Sequence, residues 1–155
     1  MKIEVPFLGK TKERYIEEGI NDFQTRLCHY VSLEIKHIKV KHSKGLTAVQ
    51  QIRAEGKLLD ASLSPGSYRI ALDGGGRSMS SEELSECLTN LENLGVKKVS
   101  FVIGGPLGLA DNFLQKADLV LSLSKMTFTH DLARLLLLEQ LYRAYTIKAG
   151  EKYHK

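Results

Sequence analysis

The amino-acid sequence predicts an α/β fold on a mainly parallel sheet, and three observations lead there. Short β-like runs alternate with helical stretches along all 155 residues, the order that builds strand–helix–strand units. KVSFVIGG (98–105) is the most apolar run of strand length. It and YRIALD (68–73) both run directly onto glycines, as buried strands that feed ligand loops do. There is no internal repeat, low-complexity tract or linker, so residues 1–155 read as one domain.

Each element follows from its periodicity. MKIEVPFL (1–8) alternates as a strand, with Ile3, Val5 and Phe7 on one face. Residues 11–27 are helical, with Tyr15, Ile16, Ile20, Phe23 and Leu27 at three- and four-residue steps. VSLEIKHIKV (31–40) is a second strand whose phase slips between Ile35 and Ile38, which predicts a bulge or bend near Lys36–His37. KHSKG (41–45) is a basic turn, and 47–62 is a helix through Val49, Ile52, Leu58 and Leu59. After the strand at 68–73, Ser80 and Glu83 form a capping box ahead of Leu84, Cys87, Leu88 and Leu91. The strand at 98–105 is followed by a short helix (111–117), a strand (118–124) and a long helix (130–148). Leu135 to Leu138 cover more than a full turn, so one buried stripe cannot hold them all. That helix is central in the fold or lies at a subunit contact.

Composition excludes several classes. With 43% hydrophobic and 26% charged residues, the chain matches an ordinary globular protein. MKIEVPFLGK has no apolar core of a signal peptide, and no stretch has the length of a membrane span. Cys28 and Cys87 lie outside any metal spacing and read as buried thiols of a cytoplasmic protein. A net charge of +4 permits an anionic partner such as RNA without demanding one.

Three loops follow predicted strands or lead into the last helix: DGGGRSMS (73–80), GGPLGLAD (104–111) and SKMTFTHD (124–131). Glycine lets backbone approach a ligand and exposes its N–H groups. Known phosphate motifs fit poorly. LGKTK (8–12) would need glycine at position 4, which is Glu4, and GGPLG carries Pro106 where GxGxxG requires glycine. No acidic or cysteine partner sits at metal spacing from His37 or His42, so no metal is expected. KHIKVKHSK (36–44) offers either a phosphate contact or a polar strand face.

ALDGGGR (71–77), FVIGGPLGL (101–109) and LSLSKMTFTHDLARLLLLEQLYRAYTIKAGEKYHK (121–155) together resemble the bacterial family of 23S ribosomal RNA pseudouridine-N3 methyltransferases. The resemblance spans the chain and is sharpest from about residue 70 onward. It implies the small SPOUT-type α/β fold with a C-terminal trefoil knot, a homodimer, and S-adenosylmethionine as methyl donor. The implied substrate is 23S rRNA within the ribosome. Matched position by position, Leu72, Gly104, Leu123, Ser124, Lys125, Met126, Thr127 and Phe128 would form the donor pocket. The chemistry of the loop adds Gly105 and Gly108. The sequence departs from the family at Thr129, where proline is common before the histidine matching His130; threonine suits an N-cap there.

The implied reaction needs the N3 proton of a uracil-type ring removed, so a cation or base should lie close. Glu139 and Arg143, four apart on the last helix, share a face and can position a phosphate or stabilise the ionised ring. Tyr153 can stack on the target base, and His154 is a candidate base or positioning donor. The resemblance also implies that the tail completes the active site with a partner subunit. The rivals are a non-enzymatic ribosome or RNA binder using 36–44, and a nucleotide-binding regulator using the glycine loops.

Overall fold

The computed structural model describes residues 1–40 and 45–154, His154 by its backbone alone. Five strands, β1 (Lys2–Leu8), β2 (Ser32–Ile38), β3 (Tyr68–Ser78), β4 (Lys98–Ile103) and β5 (Leu119–Ser122), form one sheet in the order β2-β1-β4-β3-β5. Every pairing is parallel. The helices α1 (Arg14–Leu27), α2 (Ala48–Ser62), α3 (Ser81–Asn93), α4 (Asp111–Leu114) and α5 (His130–Lys148) alternate with the strands, and a 3-10 turn (Lys152–His154) closes the chain. Among the described residues, no helix is long and apolar enough to cross a membrane.

Side-chain alternation divides the core into two layers. Ile3, Val5 and Phe7 of β1, with Val99, Phe101 and Ile103 of β4, join Ile16, Ile20 and Leu27 of α1, Leu84, Leu88 and Leu91 of α3, and the buried leucines of α5. Leu8, Ala71 and Val102 point the other way, against Leu59 and Leu63 and Phe113 of α4. A parallel sheet covered on both faces explains why β4 is buried almost throughout. In α5, Leu137, Leu138 and Leu141 are fully buried between α1, α3 and the sheet, each contributing about 1.5–3 kcal/mol. Leu135 and Leu136 are half-buried; Leu135 rests on Gly19 of α1, where a Cβ would come within 2.9 Å of it. The central position of α5 answers the leucine run.

Several sequence expectations are corrected. β2 has no bulge: its register against β1 runs unbroken from Ser32 to Ile38. The phase slip arises because Leu33 and Ile35 pack on one core layer and Ile38 and Val40 on the other. β3 does not end at Asp73 but continues through the glycines to Ser78. Tyr15, Val49 and Leu58 are exposed despite their helical spacing, leaving Leu59 as the buried apolar side chain within α2. Cys28, at the C-cap of α1, is exposed, while Cys87 is half-buried and burial raises its pKa. α4 starts as expected at Asp111 but stops at Leu114, and β5 is shorter than expected at both ends, Leu119–Ser122. The Ser80–Glu83 capping box forms as read, and Thr47 with Gln50 makes a second one.

A buried carboxylate ties the α2 side of the sheet together. Glu4, 1% exposed, accepts hydrogen bonds from Lys36 Nζ (2.6 Å), Ser64 N and Oγ (both 2.8 Å) and Ser100 Oγ (2.6 Å). Burial by itself raises its pKa, but the bonds from Lys36, Ser100 and Ser64 outweigh that and lower it to about 2. A carboxylate depressed in the folded state stabilises above its unfolded pKa, and that contribution disappears as pH falls through the folded value. Urea unfolding of the wild type should therefore lose about 3 kcal/mol between roughly pH 4.5 and pH 2. Glu4→Gln should be destabilised at pH 7 and show a flatter profile through that window.

Candidate functional site

The carboxyl ends of β3, β4 and β5 converge on one cleft of about 230 Å³, where parallel sheets hold ligands. β3 builds one wall by pairing with β5 twice. Leu72 and Arg77 both register with Leu121, so residues 73–76 loop out between them. Gly76 permits the return, because a Cβ there would lie 2.7 Å from the Val120 carbonyl. Asp73 Oδ1 closes the excursion by accepting from Gly75 N–H at 2.8 Å.

The second wall follows β4. Gly104 packs backbone to backbone on Gly108, where a Cβ would meet its carbonyl carbon at 2.5 Å. Gly108 N–H donates to Gly105 O at 3.0 Å, and Gly108 takes a φ of +83°, a conformation natural to glycine. The third wall is residues 123–128. Ser122 Oγ donates to Ser124 O at 3.0 Å, and Ser124 Oγ accepts from Met126 N–H at 2.9 Å. Thr129 then caps α5, its Oγ1 accepting from Leu132 N–H at 3.3 Å. Leu72, Gly104, Gly105, Gly108, Leu123, Ser124, Lys125, Met126, Thr127 and Phe128 all line this cleft. So do Asp73, Gly74, Ile103, Pro106 and Ala133, which sequence reasoning left out; the first four simply adjoin the named loop residues.

A buried ion pair holds the third wall. Arg134, 1% exposed, donates from Nη1 to Asp131 Oδ1 (2.8 Å) and to Thr11 Oγ1 (3.3 Å), and from Nη2 to Leu8 O (2.6 Å). Its guanidinium lies 4.6 Å from the Phe7 ring centroid. Asp131 Oδ2 accepts from Lys12 N–H at 3.0 Å. The start of α5 is thereby fastened to the segment after β1, the same LGKTK stretch that fails as a phosphate motif. His130 Nε2 lies 3.3 Å from Asp131 Oδ1, and burial lowers its pKa. Neither Asp131 nor Arg134 was singled out from the sequence, where HDLAR reads as a polar helix start.

Glu139, Arg143 and Tyr153 form a second cluster. Arg143 Nε and Nη2 donate to Glu139 Oε1 at 3.0 and 2.6 Å, and the guanidinium sits 4.9 Å from the Tyr153 ring centroid. Tyr153 OH donates to Glu139 Oε1 at 3.3 Å, and its ring stands edge-on to Tyr142 at 4.8 Å. Burial, followed by the Glu139 charge, raises the Tyr153 pKa, so it keeps its proton near neutrality. The His154 side chain and Lys155 lie outside the described residues. The 3-10 turn thus rests on its own α5. Ala133 lines the cleft, while Glu139 and Arg143 follow six and ten residues later, roughly 9–15 Å along the axis. One chain gathers the ten expected cleft residues and, separately along α5, Glu139 and Arg143 with Tyr153.

Of the basic run, Lys36 turns inward to Glu4 and the Ser62 carbonyl, His37 is exposed, and 41–44, including His42, lie outside the described residues. A larger cavity of about 450 Å³ at the amino ends of the strands, near Met1, Lys97 and Lys148, contains none of the predicted site residues.

Comparison with known proteins gives a consistent picture. The family model described as "Predicted SPOUT methyltransferase" matches residues 1–154. The chain is 52% identical to the ribosomal RNA large subunit methyltransferase H of Desulfotalea psychrophila, covering all of both chains. It is 42% identical, again over both full lengths, to the protein of that name from Clostridioides difficile. A crystal structure of a probable methyltransferase from Bordetella pertussis Tohama I superposes with a TM-score of 0.61 at 12% identity, covering 93% of this chain and 96% of that one. At that identity the likeness speaks for the fold.

Arg134→Leu should leave Asp131 buried without its partner and cost about 3–5 kcal/mol in denaturant unfolding. Asp131→Asn combined with Arg134→Leu should recover part of that loss; strict additivity of the two changes would contradict the pairing.

Proposed function

The chain belongs to the SPOUT methyltransferase family, and on that footing we propose that it methylates ribosomal RNA with S-adenosylmethionine as donor. Its target in this reading is N3 of a pseudouridine in 23S rRNA, within the assembled ribosome in the cytoplasm. The relatives named as ribosomal RNA methyltransferases support the RNA substrate, since they align over the whole chain. The observation that carries the donor assignment is the gathering of all ten residues expected to hold the donor around one cleft. The double pairing of β3 with β5 is compatible with a C-terminal knot, which we include in the proposal together with a one-domain organisation over 1–155.

The residues present fit such a donor. Leu72, Ile103, Met126 and Phe128 provide apolar surface, and the glycine walls leave backbone N–H and C=O groups at the rim for a purine edge. A Cβ at Gly104 would fill the space between its loop's two arms. When bound, the donor supplies a methyl carbon on a sulfonium sulfur. The chain's own part is to exclude water and align, and held geometry alone accounts for about 7–11 kcal/mol in favourable cases.

On the acceptor side, Glu139 clamps the Arg143 guanidinium through two of its nitrogens, fixing a cation beside Tyr153. Such a cation favours the ring once N3 has lost its proton. Tyr153, being protonated, serves as a stacking surface and hydrogen-bond donor, not as the base. His154 is the candidate to accept the N3 proton. Because this cluster sits two to three turns of α5 from the same chain's cleft, we propose a homodimer in which each tail serves the partner's donor site.

Calorimetry should detect S-adenosylmethionine binding to the wild type and to a chain lacking 152–155, while labelled-methyl transfer to unmodified ribosomes is abolished in the truncated chain. Arg143→Ala should lower kcat by at least about 100-fold with little change in donor affinity. Mixing Arg143→Ala with a donor-cleft variant, Gly104→Asp, should restore activity through mixed dimers; no restoration where mixed dimers are shown to form would rule out shared sites.

A further inference from the structure

Glu55 of α2 is a charged side chain that the proposed mechanism leaves unused. It is 4% exposed. Its Oε1 accepts a hydrogen bond from Gln51 Nε2 at 3.0 Å, which orients the carboxylate, while Oε2 is buried with no partner among the described residues. The free oxygen points at the donor cleft's second wall: a Cβ on Gly105 would lie 2.4 Å from it. Gly105 itself lines the cleft, so a single residue's backbone separates the carboxylate from the ligand space. Glycine at 105 is required for this approach, because a side chain would displace the carboxylate.

A buried carboxylate oxygen without a partner is unfavourable unless a positive charge comes near it. No protein cation fills that role among the described residues. Gln51 is neutral, Glu55 has no ion-pair partner among the described residues, and burial lowers the pKa of nearby His130. We propose that Glu55 is the fixed countercharge of the donor cleft, selecting a sulfonium cation over the neutral thioether left after methyl transfer. The inference rests on reading the cleft as a donor site. It gives that site a means of exchanging spent for fresh donor, since a charge acting across little intervening water distinguishes the two species. Stabilising the charged ground state lowers KM without raising kcat.

Calorimetry on the full chain tests this with three probes: S-adenosylmethionine, the neutral S-adenosylhomocysteine, and sinefungin, which carries an ammonium in place of the methylated sulfur. The wild type should bind both cations about tenfold more tightly than the thioether. Glu55→Gln, which keeps the shape and the contact with Gln51, should lose about tenfold for the cations and nothing for the thioether. Glu55→Asp should retain part of the preference, and in turnover Glu55→Gln should raise KM without lowering kcat, since the sulfur's charge fades toward the transition state. Equal wild-type affinities for all three probes overturn the proposal without any variant. So does a Glu55→Gln protein that weakens all three alike, which marks a structural role. A wild type that binds none of them removes the donor-site reading and this inference together. If Glu55→Gln does not fold, as judged by circular dichroism, the wild-type series and Glu55→Asp decide.

Discussion

The buried pairing of Arg134 with Asp131 governs where the functional residues stand. Two bonds from one guanidinium, to Asp131 and to the Leu8 carbonyl, join the first turn of α5 to the end of the first strand. From that junction residues 123–128 run back to β5 as one wall of the cleft, and α5 runs forward to the tail. An ion pair removed from water is a poor source of net stability compared with apolar packing. Its effect here is geometric: the planar fork admits one arrangement of helix start and strand end. The apolar layers around Leu137, Leu138 and Leu141 supply the favourable energy that lets such a pair persist.

Around that junction the cleft is made chiefly of main chain. Gly76 against Val120 and Gly104 against Gly108 are places where two backbones touch with no room for a Cβ. Close packing of this kind gives a rigid rim from flexible residues, because each glycine is confined by its neighbour. The side chains with chemistry sit elsewhere: Glu55 behind the Gly105 wall, and Glu139, Arg143 and Tyr153 further along α5. In the proposed reading, binding and reaction groups therefore belong to different elements.

Periodicity made the element order and the parallel sheet legible, since burying both faces of a sheet leaves an apolar trace in its strands, and it narrowed the last helix to a central place or a subunit contact. It misread places where local pattern and tertiary setting diverge. The slip in β2 suggested a bulge, but a strand facing two different core layers produces the same pattern without one. The glycines after Leu72 resembled a free loop, whereas they form an extended excursion that β5 recaptures. Glu4, Glu55, Asp131 and Arg134 were invisible because charged residues are buried so seldom that sequence reading assigns them to solvent. Gly105 and Gly108 were reached from the chemistry of a glycine loop beyond a strand, and the other expected cleft residues through resemblance to a known family. The Glu139–Arg143 spacing was legible in itself, as helical neighbours four apart must meet.

The contact between Gly19 and Leu135 has a consequence for biosynthesis. The apolar stripe of the first helix, Ile16, Ile20 and Leu27, packs on the sheet and makes its largest helix contact with the last helix. At ordinary rates of translation that partner emerges on the order of ten seconds later. Throughout that interval the nascent polypeptide carries a partly uncovered greasy surface, which makes it a natural client for chaperones that shield growing chains.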